Sequence, residues 1–256
     1  MTMDDKKFNK WFSVFILAGM SVALILTTGI KLRGASSGQG LLLLAAFGSL
    51  MGVLATVCSA NGRIITFLFG LLDVAIYGAM CLMNWRDGGS GLGNAVLHFA
   101  YFVPMQFVGF AQWRKRGSNE TGQVKARRLS GRQWAVLGPA FLAATLILYW
   151  IIARFDRSAA EGFLKMAVVL DVLPLVCNIF GQALMSTAYR EQWFFWIGVN
   201  VFSIWMWSRT LATGGGSYAV IYIIKYSFYL INSLNGLRIW HNLSAPEAFH
   251  PSKTES

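Results

Sequence analysis

The sequence predicts an all-α membrane protein with eight transmembrane helices. Three observations carry that reading. Hydrophobic residues fill 55% of 256 positions and charged residues only 13%, where a soluble domain averages about 25% charged. Eight apolar runs come close to the ~20 residues that span a hydrocarbon core. Lys and Arg are unequally shared between the two sides that eight crossings create.

The runs fall at about 11–30, 40–60, 64–84, 93–113, 134–153, 163–188, 192–210 and 217–240. The first follows Lys6, Lys7 and Lys10, as a signal peptide does. It is longer than a usual signal core and no A-x-A site follows, so it reads as a retained helix. The chain then divides into an extra N-terminal helix (1–38), three helices (39–113), a basic loop with a linker helix (114–162), three more helices (163–242) and a tail (243–256).

With eight crossings both termini lie on one side. That side holds Lys6, Lys7, Lys10, Arg63, the cluster at 114–132, Arg190, Arg238 and Lys253, 14 cations in all; Lys31, Arg33, Arg86, Arg154, Arg157 and Arg209 make 6 on the other. The richer side is expected to be cytoplasmic. The net charge of +11 is thereby a topology signal, and no nucleic-acid partner is expected. Cys58, Cys81 and Cys177 are scattered in apolar runs without metal-ligand or redox spacing, and no Walker A, HExxH or complete dinucleotide motif is present. Neither a cofactor nor a metal is expected, and the chain does not read as an enzyme. "GGSG" at 88–91 resembles a serine-protease motif, but its Ser90 falls in a turn, with no His placed to activate it.

The two halves flanking the basic loop repeat each other. A gap-free offset of 127 puts Phe67 on Phe194, Val74 on Val201, Gly109 on Gly236, Trp113 on Trp240 and Arg63 on Arg190. It also pairs polar positions inside the membrane, Asp73 with Asn200 and His98 with Lys225. Such residues are rare in hydrocarbon. A shift of four helices preserves direction, so the repeats are parallel, and the helix at 134–153 links them. Parallel three-helix repeats with a linker, a 3+1+3 core, are the plan of SWEET-like transporters, which bind substrate between the repeats near the midplane.

The run "YFVPMQFVGFAQWRK" (101–115), the basic loop, "EQWFFWIGVN" (191–200) and "FYLINSLNGLRIW" (228–240) together resemble the bacterial nicotinamide riboside transporters of the PnuC family. The resemblance covers about residues 40–240, and Trp193 with Trp196 is its most specific local feature. It implies a SWEET-like fold in the bacterial inner membrane and a homotrimer with one pathway per protomer. It also implies uptake of nicotinamide riboside (vitamin B3) by facilitated diffusion, with the riboside trapped by cytosolic phosphorylation. The first helix is an addition to a bare seven-helix core.

That substrate has a cationic ring, a carboxamide and a ribose. Aromatic faces hold a flat cation, and Gln or Asn supplies both donor and acceptor to a carboxamide. Trp193 and Trp196 are the aromatic candidates, an interfacial belt being the alternative. Asn200 shares their helix face, about 12 Å along the axis from Gln192; its alternative is a helix-to-helix hydrogen bond. Gln192 is a ligand contact or a helix cap. Asp73 and Tyr77 share a face, with Lys225 as possible counter-ion and Asp171 its rival. Gln106, after the backbone-loosening Pro104, and Asn232 and Asn235 are candidate ligand contacts; Asn178 and Gln182, one turn apart, line the cavity or cross-link helices. His98 reads as a packing residue, and Gly48 and Gly52 as a close helix contact. Other readings of the same core are a permease for another sugar or nucleoside, and a membrane-embedded sensor.

The charge bias yields a topology test. A cysteine introduced by Ser130→Cys, with the three native cysteines replaced, should resist an impermeant thiol reagent in intact cells. Strong labelling from outside would invert the assignment.

Overall fold

The computed structural model describes residues 3–34, 38–87, 92–155, 165–213 and 218–245. The 88–91 stretch with Ser90, Arg157, and most of the 243–256 tail with Lys253 lie outside the described residues. The described chain is almost entirely helical: α1 (Met3–Gly34), α2 (Gln39–Ala60), α3 (Thr66–Arg86), α4 (Leu92–Leu97), α5 (Val103–Lys115), α6 (Ser118–Thr121), α7 (Gly131–Phe155), α8 (Met166–Ser186), α9 (Gln192–Ala212) and α10 (Tyr218–Leu243). A π-turn over His98–Phe102 joins α4 to α5. Its cause is local. Pro104 has no N–H to give the preceding turn, and Val103 N–H instead reaches back five residues to His98 O.

Five helices are long and apolar enough to cross a membrane: 4–34, 39–60, 66–86, 131–154 and 166–186. Their outward faces stay apolar. Trp11 and Val136 are each 71% exposed and Ile25 69%, the inverse of a soluble fold and suited to lipid contact. The other three expected spans are also helical, but one is interrupted by the π-turn and two carry Asn200, Ser203, Asn232, Ser233 and Asn235. Those polar residues face inward, which is why length and apolarity alone do not single these helices out.

Contacts follow a reciprocal scheme. α2 packs on α3, and α3 on α5; α8 packs on α9, and α9 on α10. Across the two sets α2 meets α10 and α5 meets α8. α1 leans on α2 and α10, where Arg238 pairs with Asp5 at 3.3 Å and donates to Asn9. α7 packs on α8 through a cluster that includes Phe141, Leu148, Val172 and Val176.

Corresponding features of the two sets recur 126 residues apart. α2 ends at Ala60 and α8 at Ser186; α3 starts at Thr66 and α9 at Gln192. The turns contain Gly62 (φ 67°) and Ala188 (φ 61°). The third helices follow one residue later: Trp113 Nε1 donates to Met185 O at 2.8 Å, and Trp240 Nε1 to Ser59 O at 2.9 Å. The gap-free offset of 127 therefore holds only for α5 and α10. Asp73 corresponds to Val199 and Asn200 to Val74, so the pairing of Asp73 with Asn200 is corrected by one residue.

The basic loop is more ordered than its composition suggests. Its central strap crosses the helix ends: Val124 N–H donates to Gly62 O (3.0 Å), Ala126 N–H to Leu243 O (3.3 Å), and Arg127 N–H to Ala188 O (2.7 Å). Val124 is fully buried beneath it, in an aromatic plug with Phe67, Trp113, Trp193 and Trp240.

Gly62 tests this arrangement. A Cβ there meets Leu243 Cδ1 at 2.8 Å on a left-handed backbone, and left-handed L-residues cost about 1–2 kcal/mol. Gly62→Ala should lower the melting temperature of the detergent-solubilised protein; an unchanged value would show that the strap does not constrain this turn.

Candidate functional site

Between the two helix sets lies a cavity of about 470 Å³. Its walls come from α2, α3, α4, the π-turn, α5, α8, α9 and α10. The lining is built from corresponding pairs: Gly52 with Asn178, Thr56 with Gln182, Gly70 with Trp196, Asp73 with Val199, Val74 with Asn200, Phe102 with Tyr229, and Gln106 with Ser233. The frame is symmetric and the chemistry is not. Where one side carries Gly52 and Gly70, the other carries an amide and an indole. The two glycines seat polar neighbours on their own wall: a Cβ at 52 would meet the Asp73 carboxylate and one at 70 the Gln106 Oε1.

Seven of the ten candidate residues line this cavity: Trp193, Trp196, Asn200, Asp73, Tyr77, Gln106 and Gln182. Asn200 is buried near the middle of α9, where Nδ2 donates to Ser233 Oγ at 3.1 Å. That bond is also the helix cross-link foreseen as its alternative. Gln182 Nε2 donates to Ser186 Oγ (3.0 Å), which donates to Met105 O (3.0 Å) and ties α8 to α5. The Asp73 carboxylate rests on Gly52, where an added Cβ would meet Oδ2 at 2.9 Å. Any side chain at 52 displaces the acid.

Three candidates sit elsewhere. Gln192 is fully buried and outside the lining. Its Oε1 accepts from Trp196 Nε1 at 3.4 Å, so it positions that indole. Asn232 donates to Thr56 O at 3.3 Å, bracing α10 on α2. Lys225 lines a separate space of about 90 Å³ against α1 and α2, with Lys31 and Tyr222. Among the described residues it forms no contact ion pair with Asp73, so the counter-ion pairing is not a direct one. Its Nζ lies 5.7 Å from the Tyr229 ring centre.

Residues not chosen from the sequence complete the lining. Tyr226, Tyr229 and Ser233 fall at i, i+3 and i+7 on α10, one helix face. The signal was present in "KYSFYLINS", but aromatic residues at that spacing are ordinary packing in most helices. Thr56, Ser59 and Thr66 lacked any pattern. Asn178 also lines the cavity, its Nδ2 donating to Pro174 O at 2.8 Å. His98 is in the lining too; its Nδ1 is 2.8 Å from Asn94 O and its ring 4.7 Å from that of Tyr77.

Three buried polar atoms in the lining have no protein partner: Ser59 Oγ, Gln106 Oε1 and Trp193 Nε1. They are a hydroxyl, an acceptor and a donor. A buried group left unpaired costs about 1–3 kcal/mol, so each of these atoms favours a hydrogen-bonding partner. Around them stand Trp196, Tyr77, Phe102, Tyr226 and Tyr229 as aromatic walls, with Asp73 as the one carboxylate.

A polar, aromatic chamber inside a bundle whose outer faces are apolar defines a membrane carrier for a small polar solute. The chain belongs to a family of such carriers: the family model described as "Nicotinamide mononucleotide transporter" matches residues 42–242. It is similar to proteins named nicotinamide riboside transporter PnuC. That of Neisseria mucosa is 33% identical over 205 residues, 78% of this chain and 72% of the relative. That of Haemophilus influenzae is 32% identical over 202 residues, 78% and 80%. The crystal structure of a vitamin B3 transporter PnuC superposes with a TM-score of 0.61 at 27% identity, covering 95% of this chain and 98% of that one. The family is one of transporters, not enzymes.

Proposed function

We propose that the protein carries nicotinamide riboside across a bacterial cytoplasmic membrane by facilitated diffusion, the riboside being trapped inside by phosphorylation. The observation that carries this is the cavity's unpaired donor and acceptor beside a carboxylate and aromatic faces. A carboxamide answers the donor and the acceptor. A pyridinium suits the rings and is attracted by Asp73. The lining also separates the riboside from the mononucleotide. It contains no Lys or Arg among the described residues, so nothing there compensates a phosphate dianion as it leaves water.

In this reading eight helical segments cross the bilayer, α4 and α5 making one crossing through the π-turn. α2, α3 and α4–α5 form one repeat and α8, α9 and α10 the other, parallel and SWEET-like. α7 is the linker and α1 the addition. The paired lining and the reciprocal α2–α10 and α5–α8 contacts support it. Both termini and the strap face the cytoplasm, the protein assembles as a homotrimer, and substrate passes between the repeats of each protomer.

Calorimetric titration with nicotinamide riboside tests the site. Trp196→Ala should weaken binding by about 0.5–2 kcal/mol of cation–π attraction plus lost contact area, and Trp196→Phe by less. Asn200→Leu should lose about 1–3 kcal/mol. Wild-type affinity in both Trp196→Ala and Asn200→Leu would move the site elsewhere, and equal affinity for simple sugars would make the protein a general permease.

Asp73 predicts charge selection. In liposomes without ion gradients, the cationic riboside should enter faster than its neutral dihydro form. Asp73→Asn should shrink that preference about tenfold. Accumulation of riboside driven by a proton gradient at zero potential would overturn facilitated diffusion.

A further inference from the structure

Outside the carrier cavity, the strap builds a second concave site. A space of about 280 Å³ is lined by Arg114, Lys115, Arg116, Gly117, Glu120 and Lys125. Four cations and one carboxylate therefore surround a pocket large enough for a phosphate and part of the group it esterifies.

Two ordinary explanations account for part of this charge. Arg114 and Lys115 occupy the last turn of α5, where cations offset the helix dipole. Basic residues on this face also follow the topology bias. Neither explanation requires the cations to be gathered, and here the backbone gathers them. Arg116 Nε donates to Lys125 O at 2.7 Å, and Lys125 N–H donates to Arg116 O at 3.2 Å. Gly117 and Gly122, at φ 79° and 73°, turn the intervening chain back on itself. Arg127, the next cation along, stacks on the Tyr189 ring 4.4 Å away. Burial, and then the nearby Arg127 charge, pushes the Arg116 guanidinium below its ordinary range. The fold thus holds a partly buried cation beside another of its own sign. The two ion pairs Arg190–Glu191 and Arg238–Asp5 leave Arg116 unneutralised among the described residues.

We propose that this pocket is an anion site for a phosphate group, with Arg116 as its centre and Lys115 and Lys125 at its sides. Guanidinium and ammonium groups together suit phosphate oxygens. Two sources share that chemistry: the phosphodiester of an anionic lipid headgroup, which this face meets if it lies at the bilayer surface, and a free phosphate or phosphomonoester. Occupancy would act on the strap. Arg116 and Lys125 are bonded to each other, and their neighbours Val124 and Arg127 fasten the strap to Gly62 and Ala188. A bound phosphate would clamp this segment over the plug that closes one end of the carrier cavity.

The test uses purified full-length protein and limited trypsin cleavage after Arg127, with binding read independently of riboside. Three conditions are compared with pure phosphatidylcholine vesicles: inorganic phosphate, glycerol phosphate, and vesicles containing one-fifth phosphatidylglycerol. Protection by the soluble anions identifies free phosphate as the ligand, and protection only by phosphatidylglycerol identifies the headgroup. In either case Arg116→Gln should weaken the protecting probe about tenfold, one charge-assisted contact being lost. Lys115→Gln, at an exposed position outside the strap's bonds, should weaken it without altering the fold. Arg128→Gln, outside the pocket, should leave it unchanged. Absence of protection in all three conditions would overturn the site. So would equal protection by chloride at matched ionic strength, or undiminished protection in Lys115→Gln.

Discussion

Trp113 and Trp240 each give a buried indole N–H to the final turn of a helix in the opposite half of the molecule. Their acceptors, Met185 O and Ser59 O, lie in the last turns of α8 and α2 and also accept the backbone N–H of Ala188 and of Gly62, each at 2.9 Å. A carbonyl has two lone pairs, so each indole bond adds to the turn's own bond and joins the halves. Their rings sit 5.3 Å apart, with Phe67 at 4.8 Å from Trp113 and Trp193 at 6.2 Å from Trp240. Gly109 and Gly236 allow this approach: a side chain at 109 would run into Phe67, and one at 236 into Trp193. The strap, the plug and the floor of the carrier cavity all depend on that brace.

A symmetric frame with unlike walls suits a carrier for an unsymmetrical solute. Gly52 and Gly70 seat Asp73 and Gln106 on one wall, and Trp196, Asn178 and Asn200 stand on the other. Gln192 has a quieter part. Buried and outside the lining, it holds the Trp196 N–H and so fixes the plane of a ring in the cavity wall. The ring stands against Gly181, where a Cβ would come within 3.2 Å of it.

The basic loop shows how one feature answers two demands. Its cations are sufficient to set topology, yet the backbone of 123–127 is bonded to three separate helix ends. Val124, an apolar residue in a charged segment, anchors it by complete burial. A merely solvated loop needs no such anchor.

The sequence by itself determined the helices, because the length and apolarity of each run are local properties. Within the described residues the eight expected runs are helical over most of their length, and the polar residues within them marked which faces turn inward. The recurrence of features between the two sets was legible too, through Gly109, Gly236, Trp113 and Trp240. The register of the first two helices of each half was not. A slip of one residue turns a helix by about 100°, since 3.6 residues make a turn, and only the matched turns at Gly62 and Ala188 reveal it. Tertiary structure likewise decided which polar residues reach the cavity. Gln192 and Trp196 lie four apart on one face, but the first is fully buried outside the cavity and the second lines it. Asn232 and Ser233 are adjacent; the first is consumed by Thr56 O and the second faces the site. Helical periodicity places a residue on a face. What that face meets depends on the rotation and depth of neighbouring helices, and those are set by packing across the whole bundle.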